Sequence, residues 1–191
     1  MVQLTALWLP ILLSAAAIFF LSFLMWMVLP HHRKDYAALP DEDGAMRYLR
    51  GQGLRPGLYV FPHCKDAQAM KDPEWVKKQQ EGPSGTLTVM PPGACNMGAA
   101  LGKWFLLLIV ICTVTAYVAT IALPAGAEYV TVFRLVGATL LLAFCSNVFS
   151  DAIWKSHPLR PVLMHVVDGV LYALVAGGIF GWLWPAASLP A

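Results

Sequence analysis

Apolar residues in this 191-residue chain come in four long blocks, with no sustained helical or strand period inside them. The blocks run over residues 4–29, 101–123, 131–154 and 162–184. Each is close to the ~20 residues that cross a hydrocarbon core about 30 Å thick. A buried helix of a water-soluble protein rarely stays apolar for so long. The stretch between the first two blocks is different: polar, charged and punctuated by Gly and Pro. Within it, Leu39-Pro40-Asp41-Glu42-Asp43 opens a short helix that Gly51-Gln52-Gly53 closes, and Asp72-Pro73-Glu74-Trp75 opens another with Pro in the first turn. Leu58-Tyr59-Val60-Phe61 and Thr86-Leu87-Thr88-Val89-Met90 read as two short strands.

The fold class expected is an all-α integral membrane protein. Four transmembrane helices form a bundle, and a small α+β cytoplasmic loop subdomain lies between helices 1 and 2. The segments are residues 1–30 (helix 1), 31–100 (loop subdomain) and 101–191 (helices 2 to 4). An isolated pair of strands is marginal in water, so the subdomain is expected to lean on lipid, on helix ends or on a partner.

Charge orients the spans. Only 13% of the chain is charged, against about 25% in an ordinary soluble domain. Of thirteen Lys and Arg, ten fall in residues 31–103 and two, Lys155 and Arg160, between the last two blocks; Arg134 alone lies at the other side. Because cytoplasmic loops collect Lys and Arg, the long loop is placed inside and both termini outside. The residues that flank the spans, Arg33, Lys34, Lys103, Lys155 and Arg160, give the same orientation. The first block lacks a basic start and is followed by His31-His32-Arg33-Lys34, so it reads as an uncleaved anchor rather than a signal peptide. Trp8, Trp182 and Trp184 near the outer boundary and Trp26, Trp104 and Trp154 near the inner one form the expected aromatic belts.

A net charge of +2 with acidic residues interleaved through the loop leaves no basic stripe, so no nucleic-acid partner is expected. The bilayer is the expected partner of such a chain, with a protein partner or a second copy beside it. The four cysteines make no disulfide framework for a reducing cytoplasm. Gly82-Pro83-Ser84-Gly85 lacks the Lys and the strand-to-helix setting of a phosphate loop. In the loop, His63, Cys64, Cys95 and Met97 are of the soft ligand type that suits copper(I) or zinc, but without the paired spacing of a zinc motif. No cofactor is required by the sequence.

Two features of the spans carry chemistry or packing. Gly169, Ala173, Gly177 and Gly181 line one face of the fourth block at four-residue intervals, a seam that lets a neighbouring backbone approach closely. In the third block Asn147 and Asp151 share one helical line, and in the fourth His165 and Asp168 lie one turn apart. Counting from the hairpin joining these blocks sets Asp151 level with His165 and Asn147 level with Asp168. His31 and His32 at the end of the first block fall at nearly the same height. Ionisable groups at such depth face a bundle interior or a wet cavity. Three readings of this polar cluster are open: an interhelical hydrogen-bond clasp, a proton or ion site, and a metal site that adds His31 and His32. Tyr117 is a candidate partner for Asp168.

His31-His32-Arg33-Lys34-Asp35-Tyr36, Leu39-Pro40-Asp41-Glu42, Gly57-Leu58-Tyr59-Val60-Phe61-Pro62, Gly82-Pro83-Ser84-Gly85 and Met97-Gly98 before Trp104 together resemble a group of small bacterial membrane proteins of unassigned function. That resemblance implies a bacterial inner-membrane protein and no activity. No catalytic residues emerge, so an enzyme is not the expectation. The leading expectation is a non-enzymatic accessory or interaction subunit, contacting partners through its loop and helix seam. The alternative is a small proton- or ion-handling transporter, or a metal-binding membrane protein, using His165, Asp168 and Asp151.

Overall fold

The computed structural model describes residues 2–93 and 96–187. Two compact units divide the chain: Met1–Tyr36 with Asn96–Ala191, and Ala37–Cys95. The second unit begins six residues later than the loop subdomain expected from the sequence, and residues 31–36 fold with the helices.

The helical unit contains four helices long and apolar enough to cross a membrane. The first, α1 (Trp8–Phe23), is entered by a 3₁₀ turn at Leu4–Leu7 and left by a π turn at Leu24–Val28. The others of this unit are α4 (Met97–Ala122), α5 (Tyr129–Lys155) and α6 (Leu159–Trp182). They pack in a closed cycle, α1 on α4, α4 on α5, α5 on α6 and α6 on α1, with α5 and α6 sharing the longest interface. Leu7, Ile18, Leu108, Val132, Val136, Leu140 and Phe180 are fully buried at the centre. Small residues allow the close approach: Ser14 and Ala15 of α1, and Cys112, Ala116 and Ala119 of α4, are fully buried.

The outward faces are as apolar as the inward ones. Phe20, Leu106, Ile121 and Leu142 are each more than 60% exposed. A helix bundle with no polar face would expose far more apolar surface than a soluble monomer tolerates. This surface suits a multi-pass membrane protein, in keeping with the four apolar blocks.

At one end, the α4–α5 turn uses Gly126 at φ +77°, a conformation open to glycine. Its N–H donates to the Pro185 carbonyl at 2.8 Å, and a Cβ there would sit 2.8 Å from that of Ala187. Trp184 Nε1 donates to the Pro124 carbonyl at 2.9 Å, closing the same end. At the opposite end α5 stops at Ser156, in the left-handed conformation (φ 52°), and α6 starts after Pro158. Those few residues make the antiparallel hairpin expected of the third and fourth blocks.

The seam of α6 packs against α5 of the same chain. A Cβ on Gly169 would meet Cys145 Sγ at 2.5 Å, one on Gly177 would meet Phe133 at 3.2 Å, and one on Gly181 would meet Tyr129 at 2.8 Å. Ala173, between them, is buried and its carbonyl faces Gly137.

The second unit contains α2 (Glu42–Gly51), β1 (Gly57–Phe61), α3 (Pro73–Glu81) and β2 (Gly85–Val89). Asp41 caps α2 through Gly44 N–H, and Asp72 caps α3 through Glu74 N–H, with Pro73 at the first helical position. The strands pair antiparallel with Tyr59 opposite Leu87. Among its described residues, 37–93, none is buried.

Candidate functional site

The π turn at Leu24–Val28 and the kink at Leu29-Pro30 turn the chain back at the end of the first span. Leu29 N–H reaches the Leu24 carbonyl five residues back, and a 3₁₀ turn at Pro30–His32 follows. Such π turns widen a helix by one residue and recur beside functional sites. Here the result is that His31 and His32, adjacent in sequence, both reach α6. On α6, Pro161, His165, Asp168 and Tyr172 follow the i, i+4, i+7, i+11 spacing of one helical face.

Asp168, only 3% exposed, is the centre of the site. Its two oxygens meet two rings: His31 Nε2 lies 3.2 Å from Oδ1 and His32 Nε2 lies 2.9 Å from Oδ2. The other nitrogen of His32, Nδ1, lies 2.5 Å from Asp35 Oδ2. Asp35, whose side chain is 2% exposed, is paired through its remaining oxygen with Arg160. Arg160 also donates to the His31 carbonyl at 2.7 Å, so its guanidinium fork clamps the 31–35 turn onto α6. Trp26 stacks on His32, ring centroids 4.0 Å apart and 9° from parallel. His165 donates from Nδ1 to the Pro161 carbonyl at 2.8 Å. A carbonyl can only accept, so Nε2 of a neutral His165 keeps its lone pair free.

Hydrogen-bond accounting constrains the protons. Ionised carboxylates accept and never donate. With Asp35 and Asp168 both ionised, both His32 nitrogens must carry hydrogen. Asp35 has its fixed cation in Arg160. For Asp168, among the described residues, histidine is the only basic side chain within ion-pair distance.

Two cavities flank the cluster and share His165. One, about 380 Å³, is aromatic and apolar and includes Phe19, Trp26, Trp104, Phe144 and Asp168 in its wall. The other, about 410 Å³, is bordered by Asp35, Asn147, Asp151 and His157. Two sets of three side chains bring one ligand atom each within 4.8 Å of the others: His31, His32 and Asp168, and His32, Asp35 and His165.

The structure redistributes the polar cluster read from the sequence. Asp168 is buried, and its partners are His31 and His32; no hydrogen bond links it to Asn147. Asp151 pairs with Lys155 at 2.7 Å and keeps 27% of its side chain exposed, while Asn147 is exposed. Residues level along a hairpin need not face each other, since each helix's rotation about its axis decides what meets. Asn147, Asp151 and His165 share a cavity wall, not a bonded cluster. Tyr117 is 55% exposed on the outer face of α4, so it is no partner of Asp168; Tyr172, which lines the same cavity as Asp168, stacks edge-on against Phe144. His63 and Cys64 belong to the second unit, where Cys64 donates to the Asp66 carbonyl at 3.0 Å; Cys95 lies outside the described residues.

Along the sequence, Asp35, Arg160 and Trp26 stand as loop charge, topology signal and belt residue; in the fold all three hold the site. Only the three-residue spacing from His32 to Asp35 signals this from sequence. Compared with protein families, curated proteins and solved structures, the chain matches none.

Proposed function

We propose that the chain is a multi-pass bacterial inner-membrane protein that handles a cation at the Asp168 cluster. Its termini are periplasmic and the 31–103 loop is cytoplasmic, which sets the cluster about two turns inside the cytoplasmic boundary. One observation carries the reading: among the described residues the buried Asp168 is paired only with histidines, whose charge comes and goes with a proton, whereas Asp35 has the permanent charge of Arg160. A buried carboxylate charge is costly unless paired, so its site is completed by a mobile positive charge. Conduction through so small a bundle implies a homo-oligomer.

The test is cation flux into proteoliposomes, with separate reporters for protons, potassium and divalent metals. Flux of at least one cation is expected from wild type and from Asp151→Asn, and is lost in Asp168→Asn protein of unchanged helicity. Equal flux from Asp168→Asn, or no flux with any cation, refutes the reading.

A second reading, an accessory subunit, is favoured by the second unit. It has no buried residue among those described and exposes Leu58 at 83% and Met90 at 77%, a surface suited to a partner. Native mass spectrometry from mild extracts discriminates: a stoichiometric partner released by Leu58→Glu with Met90→Glu supports this reading, and a bare chain or homo-oligomer refutes it.

A further inference from the structure

We infer that His31, His32 and Asp168 are the ligands of a divalent transition-metal ion, with Asp35 as the positioning residue behind His32. This names the cation of the proposed site and rests on that reading.

Three observations converge on this set. The first is spacing. Bonds of about 2.0–2.1 Å meeting at angles from square to tetrahedral put neighbouring ligand atoms about 2.9–3.4 Å apart. His31 Nε2 lies 3.2 Å from Asp168 Oδ1 and His32 Nε2 lies 2.9 Å from Oδ2, so each ring meets its own carboxylate oxygen in that range, and one ligand atom from each of the three residues lies within 4.8 Å of the others. The 2.5 Å between His32 Nδ1 and Asp35 does not; it is the length of a strong hydrogen bond. That short contact marks Asp35 as the hydrogen-bonded support of His32, which disfavours the overlapping set of His32, Asp35 and His165.

The second is the support itself. Metal-binding histidines characteristically donate their other ring N–H to a carboxylate, which fixes the tautomer and turns the free lone pair toward the ion. Asp35 stands behind His32 in that position, and Arg160 in turn holds Asp35. Trp26, stacked on the His32 ring, limits its rotation.

The third is charge. Arg160 and Asp35 cancel, leaving one buried carboxylate between two histidines, and an incoming ion takes the place of the proton on His32 Nε2, which is released to solvent. Two imidazole nitrogens and a carboxylate oxygen suit zinc, iron(II), cobalt(II) or nickel(II) better than magnesium or calcium, which prefer oxygen alone. Three protein ligands leave a coordination position open. The His31 side chain is 21% exposed, so the ligand set is open to its surroundings on that side.

The experiment uses the full chain in detergent, stripped with a chelator and titrated with Zn²⁺ and with Co²⁺ alone. The inference expects one ion per chain. Cobalt d–d bands and zinc X-ray absorption should show a low-coordinate site with two imidazoles; these readouts need no variant and stand even if one fails to fold. Affinity should fall at least 100-fold in His32→Ala and Asp168→Asn, and about 10–100-fold in Asp35→Asn with the cobalt spectrum unchanged. Asp151→Asn and His165→Ala should bind as wild type does.

No binding by wild type, a spectrum without imidazole, or binding that survives Asp168→Asn but is lost in His165→Ala overturns the inference. Its failure is separable from that of the wider reading. Stoichiometric metal without flux in proteoliposomes keeps the ligand set and refutes carriage. Flux of protons or potassium without metal binding refutes the ligand set and keeps cation handling.

Discussion

Replacing Gly169 by Ala probes the closest approach of α5 and α6. The new methyl would lie 2.5 Å from Cys145 Sγ and 3.2 Å from Phe144 Cβ, both on α5. Neither neighbour is a flexible side-chain end, since Cys145 is itself buried and Phe144 Cβ is fixed to the backbone. Two terms oppose each other. Alanine in a helix interior is about 0.8–1 kcal/mol better than glycine. Forcing an extra methyl into a packed interface costs about 1–3 kcal/mol, and sulfur at 2.5 Å points to the upper part of that range.

Gly102 isolates the first term. It lies in α4 with nothing within 4 Å of the place a methyl would occupy, so Gly102→Ala should gain the propensity alone. The difference between the two variants, about 1–3 kcal/mol, is then the packing cost. Cys145→Ala removes the clashing sulfur, so the pair with Gly169→Ala should recover much of the loss, with a coupling of about 0.5–3 kcal/mol. Phe144 Cβ keeps the recovery partial. Far-UV circular dichroism along a denaturing-detergent titration of the purified protein gives the unfolding free energies. If both glycine variants shift alike, or Cys145→Ala shows no coupling to Gly169→Ala, the intrachain seam is not where the stability lies.

Four further outcomes are expected. Arg160→Met strips the buried Asp35 of its cation and should destabilise by about 1–3 kcal/mol, discounted because the Arg160 side chain is 43% exposed; Arg160→Lys should restore only part in the same titration, since an ammonium cannot bridge Asp35 and the His31 carbonyl. Trp104→Phe loses the 3.0 Å bond from Nε1 to Ser22 Oγ that ties α4 to α1, at a cost of about 0.6 kcal/mol; a loss above about 2 kcal/mol would mean that the indole packs more than it bonds. Hydrogen exchange should be much faster in β1 and β2 than in the centres of α5 and α6, because no residue of 37–93 is buried; equal protection would mean that the second unit is covered. A membrane-impermeant maleimide should label the loop cysteine Cys64 in inside-out vesicles and not in right-side-out ones, and the reverse pattern would invert the proposed topology.

How the chain divides between legible and illegible follows from which forces act locally. Length and apolarity of a span, the capping of α2 and α3 by Asp41 and Asp72, the two strands, and the reach of the α5–α6 hairpin are set by neighbours within a few residues. All can be read along the chain before any contact is known. The level of Asp168 along its helix is equally legible, since it follows from counting residues from the hairpin. Its partners are not. Asn147 and Asp151 share its height, but the rotation of α5 that seats Phe133, Phe144 and Cys145 against the glycine seam of α6 turns Asn147 outward and leaves Asp151 to Lys155. The π turn and Pro30 decide the rest, redirecting the end of α1 so that two histidines more than 130 residues away in sequence close on one carboxylate. A hydropathy pattern records how deep a side chain lies; which groups meet at that depth depends on helix rotation and local winding, and those are set by packing across the whole bundle.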